Sequence, residues 1–395
     1  MKIKFLLEVL KFTFTAFGGP QAHIAMMLKE FVEKKKYVTE EELIQYNALA
    51  QMLPGPSSTQ TLVAIAYKYG GLSTALIAFF IWILPSALIM LFFSIAFVKY
   101  DLANSTEKVL YVLKPIAIGF VLYSAYILTR KVLNNRFSYF FAAISAVLTF
   151  YFQNAFVFPL ILFIGIVGSI LWGKADANID LENNNTPFDF NWKKLIVFFG
   201  ILLMFAILGA VINRTSFFSL PIRLFENFYR NGIMIFGGGQ VLVPLLYTEF
   251  VEMKQYLTSQ EFFAGFALQQ AVPGPVFSFT TFLGSMSMRA GGLVGQIFGG
   301  VAALIGINLP GLLFILIIFP AWEKIKQRKI VQRALDGINS VAVGFAMAAF
   351  FIMSGPIVND RISMSIVAFT FFLLNWNKIP SYLIILAGIA AGLLM

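Results

Sequence analysis

Phe17-Gly-Gly-Pro-Gln21 and Gln51-Met-Leu-Pro-Gly-Pro56 each interrupt an apolar run. Both return 219 residues later, as Phe236-Gly-Gly-Gly-Gln240 and Gln270-Ala-Val-Pro-Gly-Pro275. Between them, Glu30-Phe-Val-Glu33 falls on Glu249-Phe-Val-Glu252 at the same shift. Positions 17–61 carry 19 identities in 45 without a gap, so the chain contains an internal repeat. With small insertions the match continues, Leu84-Pro85 falling on Leu309-Pro310 and Ile118-Gly119 on Val343-Gly344.

The runs that these motifs interrupt are membrane-like. The 395 residues are 59% hydrophobic and 12% charged, with a mean hydropathy of +0.82, so most of the surface must face lipid. Runs such as Leu72–Val98 and Leu293–Phe319 reach the roughly 20 residues that cross a hydrocarbon core. Barrel strands would be about 10 residues long and alternate in polarity, which these do not. The class is therefore an all-α polytopic membrane protein. Cysteine is absent and His23 is the single histidine, which excludes disulfides, thiolate metal sites and most zinc chemistry. No cofactor or metal is expected, and no enzymatic activity. The net charge of +10 reads as the cytoplasmic excess of Lys and Arg rather than as nucleic-acid binding. Glu8 and Lys11 break the apolar run at the start, and no small-residue cleavage site follows, so the start reads as mature protein.

Each half reads as two interrupted segments followed by four spans. In the first half these are about 5–28 and 43–66, then 72–98, 109–130, 137–153 and 155–172. In the second they are about 222–247 and 262–288, then 293–319, 334–354, 362–376 and 380–395. A polar stretch, Gly173 to Asn191, and one unpaired span, Lys194–Val211, lie between them. The expected units are an N-terminal repeat over 1–172, a polar cytoplasmic linker over 173–193, an inverting span over 194–213 and a C-terminal repeat over 214–395. Four spans plus one make an odd number, so the second half enters the membrane from the opposite face and the repeat is inverted. If the interrupted segments are re-entrant hairpins, 19 Lys and Arg fall on the cytoplasmic side and seven outside. If they cross fully, the split is 16 against 10, which favours the hairpins and places the N-terminus in the cytoplasm.

Irregular backbone at membrane depth is tolerated where it lines a cavity or is buried in protein. Pro suits the first turn of a helix and Gly the end of one. Gly18, Gly19, Gly55, Gly237, Gly238 and Gly274 thus mark places where one half-helix ends and the next begins. A half-helix start presents free N–H groups and a partial positive charge, which together bind anions. Ser57, Ser58 and Thr59 follow Pro56, and Ser278 and Thr280 follow Pro275; their hydroxyls suit the oxygens of a tetrahedral oxyanion. Gln21 and Gln240 open the other half-helices, and Gln51 and Gln270 stand just before the prolines. Acidic residues are missing from all four tips, which argues against a cation site. Taken singly, each Gly or Pro reads as a kink or a close helix contact. Recurrence in both halves favours a shared substrate site.

Lys11 and Arg230 also match at the 219 shift, each seven residues before the first paired glycine and so on its helix face. A bound anion is a natural partner for a cation there; snorkelling, or pairing of Lys11 with Glu8, is the alternative. Lys114 and Arg289 read as interface residues. His23 has no counterpart in the second half, where Leu242 stands, and reads either as a structural hydrogen-bonder or as a proton-coupled group. Thr39 and Glu42 are spaced as a capping box that opens the next hairpin.

At these residues the chain resembles the chromate ion transporter family in its long-chain, two-domain form. The resemblance rests on Phe17-Gly-Gly-Pro-Gln-Ala-His23 and Leu53-Pro-Gly-Pro56, then on Phe236-Gly-Gly-Gly-Gln240 and Val272-Pro-Gly-Pro275, with Gly70-Gly71 to Leu84-Pro85 alongside. It covers essentially the whole chain. It implies extrusion of chromate across a bacterial or archaeal plasma membrane, driven by the membrane potential or proton gradient or by exchange with sulfate. The partners expected are the bilayer and chromate or sulfate as substrate; a homodimer is compatible and nucleic acid is not expected. An anion channel would show a continuous polar stripe, and a lipid-phosphate enzyme would want acidic ligands or several His. A lipid-phosphate translocase keeps the anion chemistry and stays open beside the oxyanion transporter.

Overall fold

A computed structural model of the chain describes residues 2–17, 19–101, 107–152, 157–172, 219–236, 242–322, 329–376 and 379–395, and singly Ile196, Gly200, Leu203, Met204 and Ile207. The linker at 173–193 and the inverting span at 194–213 lie outside the described residues, those five positions apart. Among the described residues the structure is helical, with no strand.

The chain opens with α1 (Lys2–Thr15) and α2 (Gly19–Met27), separated at the first glycine motif. A π-helical turn, Leu28–Lys34, leads to α3 (Glu40–Met52). Thr39 Oγ1 accepts from the Glu42 N–H at 3.2 Å, and Glu42 Oε2 accepts from the Thr39 N–H at 2.9 Å. That closes the capping box at the start of α3. Pro54 disfavours helical backbone at the residue before it, and α3 ends at Met52. The next helix, α4 (Ser57–Lys99), is kinked at Gly71, whose φ of +75° suits glycine. One helical segment therefore ends there and a longer one begins. Then come α5 (Glu107–Val132), α6 (Arg136–Tyr151) and α7 (Val157–Trp172).

The same grammar returns in α8 (Ser219–Met234), α9 (Leu242–Tyr247), a π-helical turn at Thr248–Met253, and α10 (Ser259–Ala271). A 3-10 turn at Val276–Ser278 runs into α11 (Phe279–Ser287), followed by α12 (Gly292–Ile318), α13 (Lys329–Ser354), α14 (Arg361–Trp376) and α15 (Ser381–Leu394). Thr258 and Glu261 repeat the capping box. Lys36 and Gln255 share a φ of +52°, and Gly292 at +63° stands where Gly71 does. Positions 219 to 221 residues apart thus carry the same backbone devices.

Among the described residues four helices are long and apolar enough to cross a membrane: Ser57–Lys99, Lys108–Arg130, Arg289–Ile318 and Asp336–Ile357. The other expected spans keep close to the lengths read from the sequence: α6 has 16 residues against 17, α14 has 16 against 15 and α15 has 14 against 16. Each is below the roughly 20 that cross a hydrocarbon core, while both ends of α7 adjoin residues outside the described set. Caps set some of these limits: Asn135 Oδ1 starts α6 by accepting from the Ser138 N–H, and Pro380 starts α15.

The halves interleave. Helix α13 packs on α5, α6 and α7; α5 packs also on α10, α14 and α15; α8 packs on α12; and α4 packs on α1, α3, α11 and α12. Glycines make the closest crossings, Gly165 against Gly337 and Gly284 against Gly299, where no room exists for a Cβ. Trp82 is fully buried and stacks on Phe12 at 5.3 Å; Phe228 stacks on Phe250 at 4.6 Å.

Candidate functional site

The prolines and glycines of the two Pro-Gly-Pro loops leave backbone groups without helical partners, and the fold supplies those partners from the other half. The Gly55 N–H donates to the Ile235 carbonyl at 2.7 Å, and the Gly274 N–H donates to the Ala16 carbonyl at 2.8 Å. Ala16 and Ile235 are themselves 219 residues apart, so the two bonds are the same bond made twice. Each glycine needs its residue type: φ is +118° at Gly55 and +109° at Gly274. Each is also closely approached. A Cβ on Gly55 would stand 2.8 Å from Gly311 Cα, and one on Gly274 would stand 2.9 Å from Ser86 Oγ. Ser86 and Gly311 directly follow the paired Leu84-Pro85 and Leu309-Pro310.

These contacts bring the start of α4 into the protein interior. Pro56 precedes Ser57, Ser58 and Thr59, all buried, and the first intrahelical bond runs from Gln60 N–H to the Pro56 carbonyl at 2.9 Å. The amides ahead of Gln60 are those that a helix start leaves without internal partners. Their hydroxyl neighbours are held in place: Ser58 Oγ is 3.2 Å from His23 Nδ1, and Thr59 Oγ1 accepts from Trp82 Nε1 at 3.0 Å. The His23 ring meets Trp82 edge-on at 5.2 Å, and its buried Nε2 has no hydrogen-bond partner. In the second half Ser278 Oγ meets Ser86 Oγ at 2.5 Å, tying the α11 start to α4. The Thr280 hydroxyl turns back to the Phe277 carbonyl at 2.8 Å, whereas the buried Thr281 hydroxyl has no partner.

The structure thus gathers Gly55, Ser57, Ser58, Thr59, Gly274 and Ser278 around the two cross-half bonds. Gly19, at φ +79°, faces the same region, since a Cβ there would lie 3.9 Å from Val276. Gln51 and Gln270 are half-buried at the ends of α3 and α10. Gly18, Gly237, Gly238 and Gln240, and the Gln21 side chain, lie outside the described residues.

Lys11 and Arg230 do not join the tips. The Lys11 side chain is 75% exposed, with Glu8 at 3.9 Å. Arg230 already has anionic partners, Glu226 at 3.1 Å and Glu249 at 2.6 Å. The Glu249 partner is 19 residues away along the chain, too far for a local pairing rule to find. Two further residues at the site carry no motif. Gln60 Nε2 donates to the Pro54 carbonyl at 2.8 Å and the Gly311 carbonyl at 3.0 Å, binding the loop to α12. Trp82 holds Thr59 from three residues ahead of Pro85; its only sequence signal is an indole in the middle of an apolar span. Among the described residues no cluster of His, Cys, Asp or Glu could hold a metal ion.

The chain matches the chromate transporter family model over residues 3–170 and again over 222–393. An uncharacterised transporter of Methanocaldococcus jannaschii is 26% identical across 100% of this chain and 94% of its own. A probable chromate transport protein of Synechococcus elongatus is 28% identical over 98% of this chain and 93% of its own. A chromate transport protein of Cupriavidus metallidurans is 25% identical over 95% of this chain and 89% of its own. No solved structure matches.

Proposed function

Since this chain belongs to the chromate transporter family, a family of membrane transporters, we propose that it exports a tetrahedral dianionic oxyanion, chromate ahead of sulfate, by alternating access. The observation that carries this reading is the pair of bonds Gly55 to Ile235 and Gly274 to Ala16. They seat the interrupted points of one half against those of the other, with the α4 start buried beside them. The N–H groups and the dipole at that start, with Ser57, Ser58 and Thr59, replace water around the anion's oxygens. Ser278 and the start of α11 do the same from the other half, and no carboxylate at the described tips repels the ligand.

In this reading the two halves are inverted, and the interrupted segments are re-entrant hairpins that return to the face they left. The lengths support it: α1 has 14 residues and α2 has 9, each short of the roughly 20 needed to cross alone. One half rocks against the other about the paired loops, opening the site first to the cytoplasm and then outward, with sulfate exchanged or shared. The protein stands in the plasma membrane with its N-terminus in the cytoplasm.

Uptake of labelled chromate into everted vesicles tests the proposal, with and without excess sulfate and with the gradient collapsed by ionophore. Gradient-dependent uptake that sulfate blocks is the expected result. Correctly inserted protein that gives no uptake above empty vesicles overturns the substrate assignment.

A further inference from the structure

Near the end of α8, five residues before Ile235, lies a second cluster of anion-binding groups, away from the loops. Arg230 Nη2 and Lys254 Nζ both reach Glu249 Oε1, at 2.6 and 2.7 Å, and Asn231 Nδ2 reaches Glu249 Oε2 at 2.6 Å. Three donors from two elements converge on one carboxylate at the distances of charge-assisted bonds. The Glu249 side chain is 4% exposed, whereas Arg230 and Lys254 keep 28% and 26%. An incoming anion therefore meets the cations first and the carboxylate behind them.

We propose that Arg230, Asn231 and Lys254 form a second oxyanion site, which the Glu249 carboxylate occupies as a tethered anion until substrate exchanges with it. The displaced carboxylate, buried and parted from its three donors, takes up one proton from the medium and becomes the neutral acid. Asn231 is prepared for this: its Oδ1 is buried and has no partner, and a protonated Glu249 can donate to it. Arg230 also carries Glu226 through Nε, so with Glu249 neutral the cluster keeps one net positive charge toward a dianion. The other titratable and charged groups around Glu249 are Tyr256, just after the turn, with Arg223 of α8 beyond it. The first half cannot build the same site. Phe12 stands where Asn231 does, Lys35 pairs with Glu8, and Glu30 pairs with Lys34. The exchange therefore moves one proton per chain per anion.

The site goes beyond the loop tips and can fail while oxyanion transport stands. The test is isothermal titration of sulfate into the full-length purified protein at several pH values, in buffers of different ionisation enthalpy. Wild type takes up one proton per sulfate bound, and its dissociation constant rises up to about tenfold per pH unit. Glu249→Gln keeps the three donors, removes the tethered charge, binds sulfate more tightly and shows neither proton uptake nor pH dependence. Sulfate binding to wild type without proton uptake overturns the exchange, with no variant needed. Proton uptake that persists in Glu249→Gln overturns the assignment to this carboxylate.

Discussion

The N–H of Gly55 is held by the carbonyl of Ile235, a residue 180 positions further along the chain, and the bond is repeated from Gly274 to Ala16. Each irregular loop is completed by the opposite half, so neither loop has its full set of backbone partners until both halves are packed.

At Gly55 an added methyl meets both a left-handed backbone and the Gly311 backbone, whereas at Gly71, φ +75°, it meets open space. Gly55→Ala is expected to cost roughly 1–3 kcal/mol in strain plus the clash, and Gly71→Ala only the strain. Thermal unfolding in detergent should rank Gly55→Ala clearly below Gly71→Ala; equal melting temperatures would refute the close approach.

Thr59→Val removes the acceptor of the buried Trp82 N–H, at about 1–3 kcal/mol for an orphaned donor. The pair Thr59→Val and Trp82→Phe should not add, because the second change removes the orphan. A double-mutant cycle on unfolding free energy reads the coupling, and strict additivity would count against the bond.

Ser57→Asp places a tethered carboxylate at the α4 start, where the dipole favours an anion. The protein should stay folded while chromate uptake falls at least about tenfold, the margin that about 1.4 kcal/mol of competition gives. Unchanged uptake would remove the α4 start from the substrate path.

Lys11→Ala should leave stability within about 0.5 kcal/mol, as for an exposed side chain. Arg230→Ala strips the buried Glu249 of one cation and should cost about 3–5 kcal/mol. Paired melting curves decide, and two similar losses would mean that Lys11 has a role its exposure does not reveal.

Lys34 and Met253 occupy matching, exposed places on the two π-helical turns, and the chain has no cysteine of its own. Single Lys34→Cys and Met253→Cys variants should label from opposite faces of the membrane with an impermeant thiol reagent. Labelling from the same face would sink the inverted arrangement.

Much of the site could be read before the fold was known, because Gly and Pro act on the backbone of their own position. Gly19, Gly55, Gly71 and Gly274 all stand at positive φ, where an apolar span would otherwise continue. Thr39 with Glu42 speaks equally locally. What stayed hidden depends on distance through space. Trp82 gains its role from Thr59, 23 residues away, and Gln60 partly from Gly311, 251 away. Glu249 is invisible as the partner of Arg230 in the sequence, because only the return of the chain through the π-helical turn brings it within 2.6 Å. Helix bounds, by contrast, are legible for a local reason: the apolar run 137–153 lies on a helix that the Asn135 cap starts at Arg136 and that ends at Tyr151.

Those short helices carry a consequence for the lipid. Helices α6 and α7 flank α13, while α14 and α15 flank α5. Of these, α6 at 16 residues and α15 at 14 measure about 24 and 21 Å, against a hydrocarbon core of about 30 Å. Phe140, Phe163, Phe369 and Leu386 turn outward from them toward acyl chains. A bilayer that thins along this flank covers them without exposing polar ends, at a fraction of a kcal/mol per ångström of mismatch. The acyl-chain length of the host membrane thereby becomes a setting of the protein, favouring conformations whose outer belt matches the local thickness.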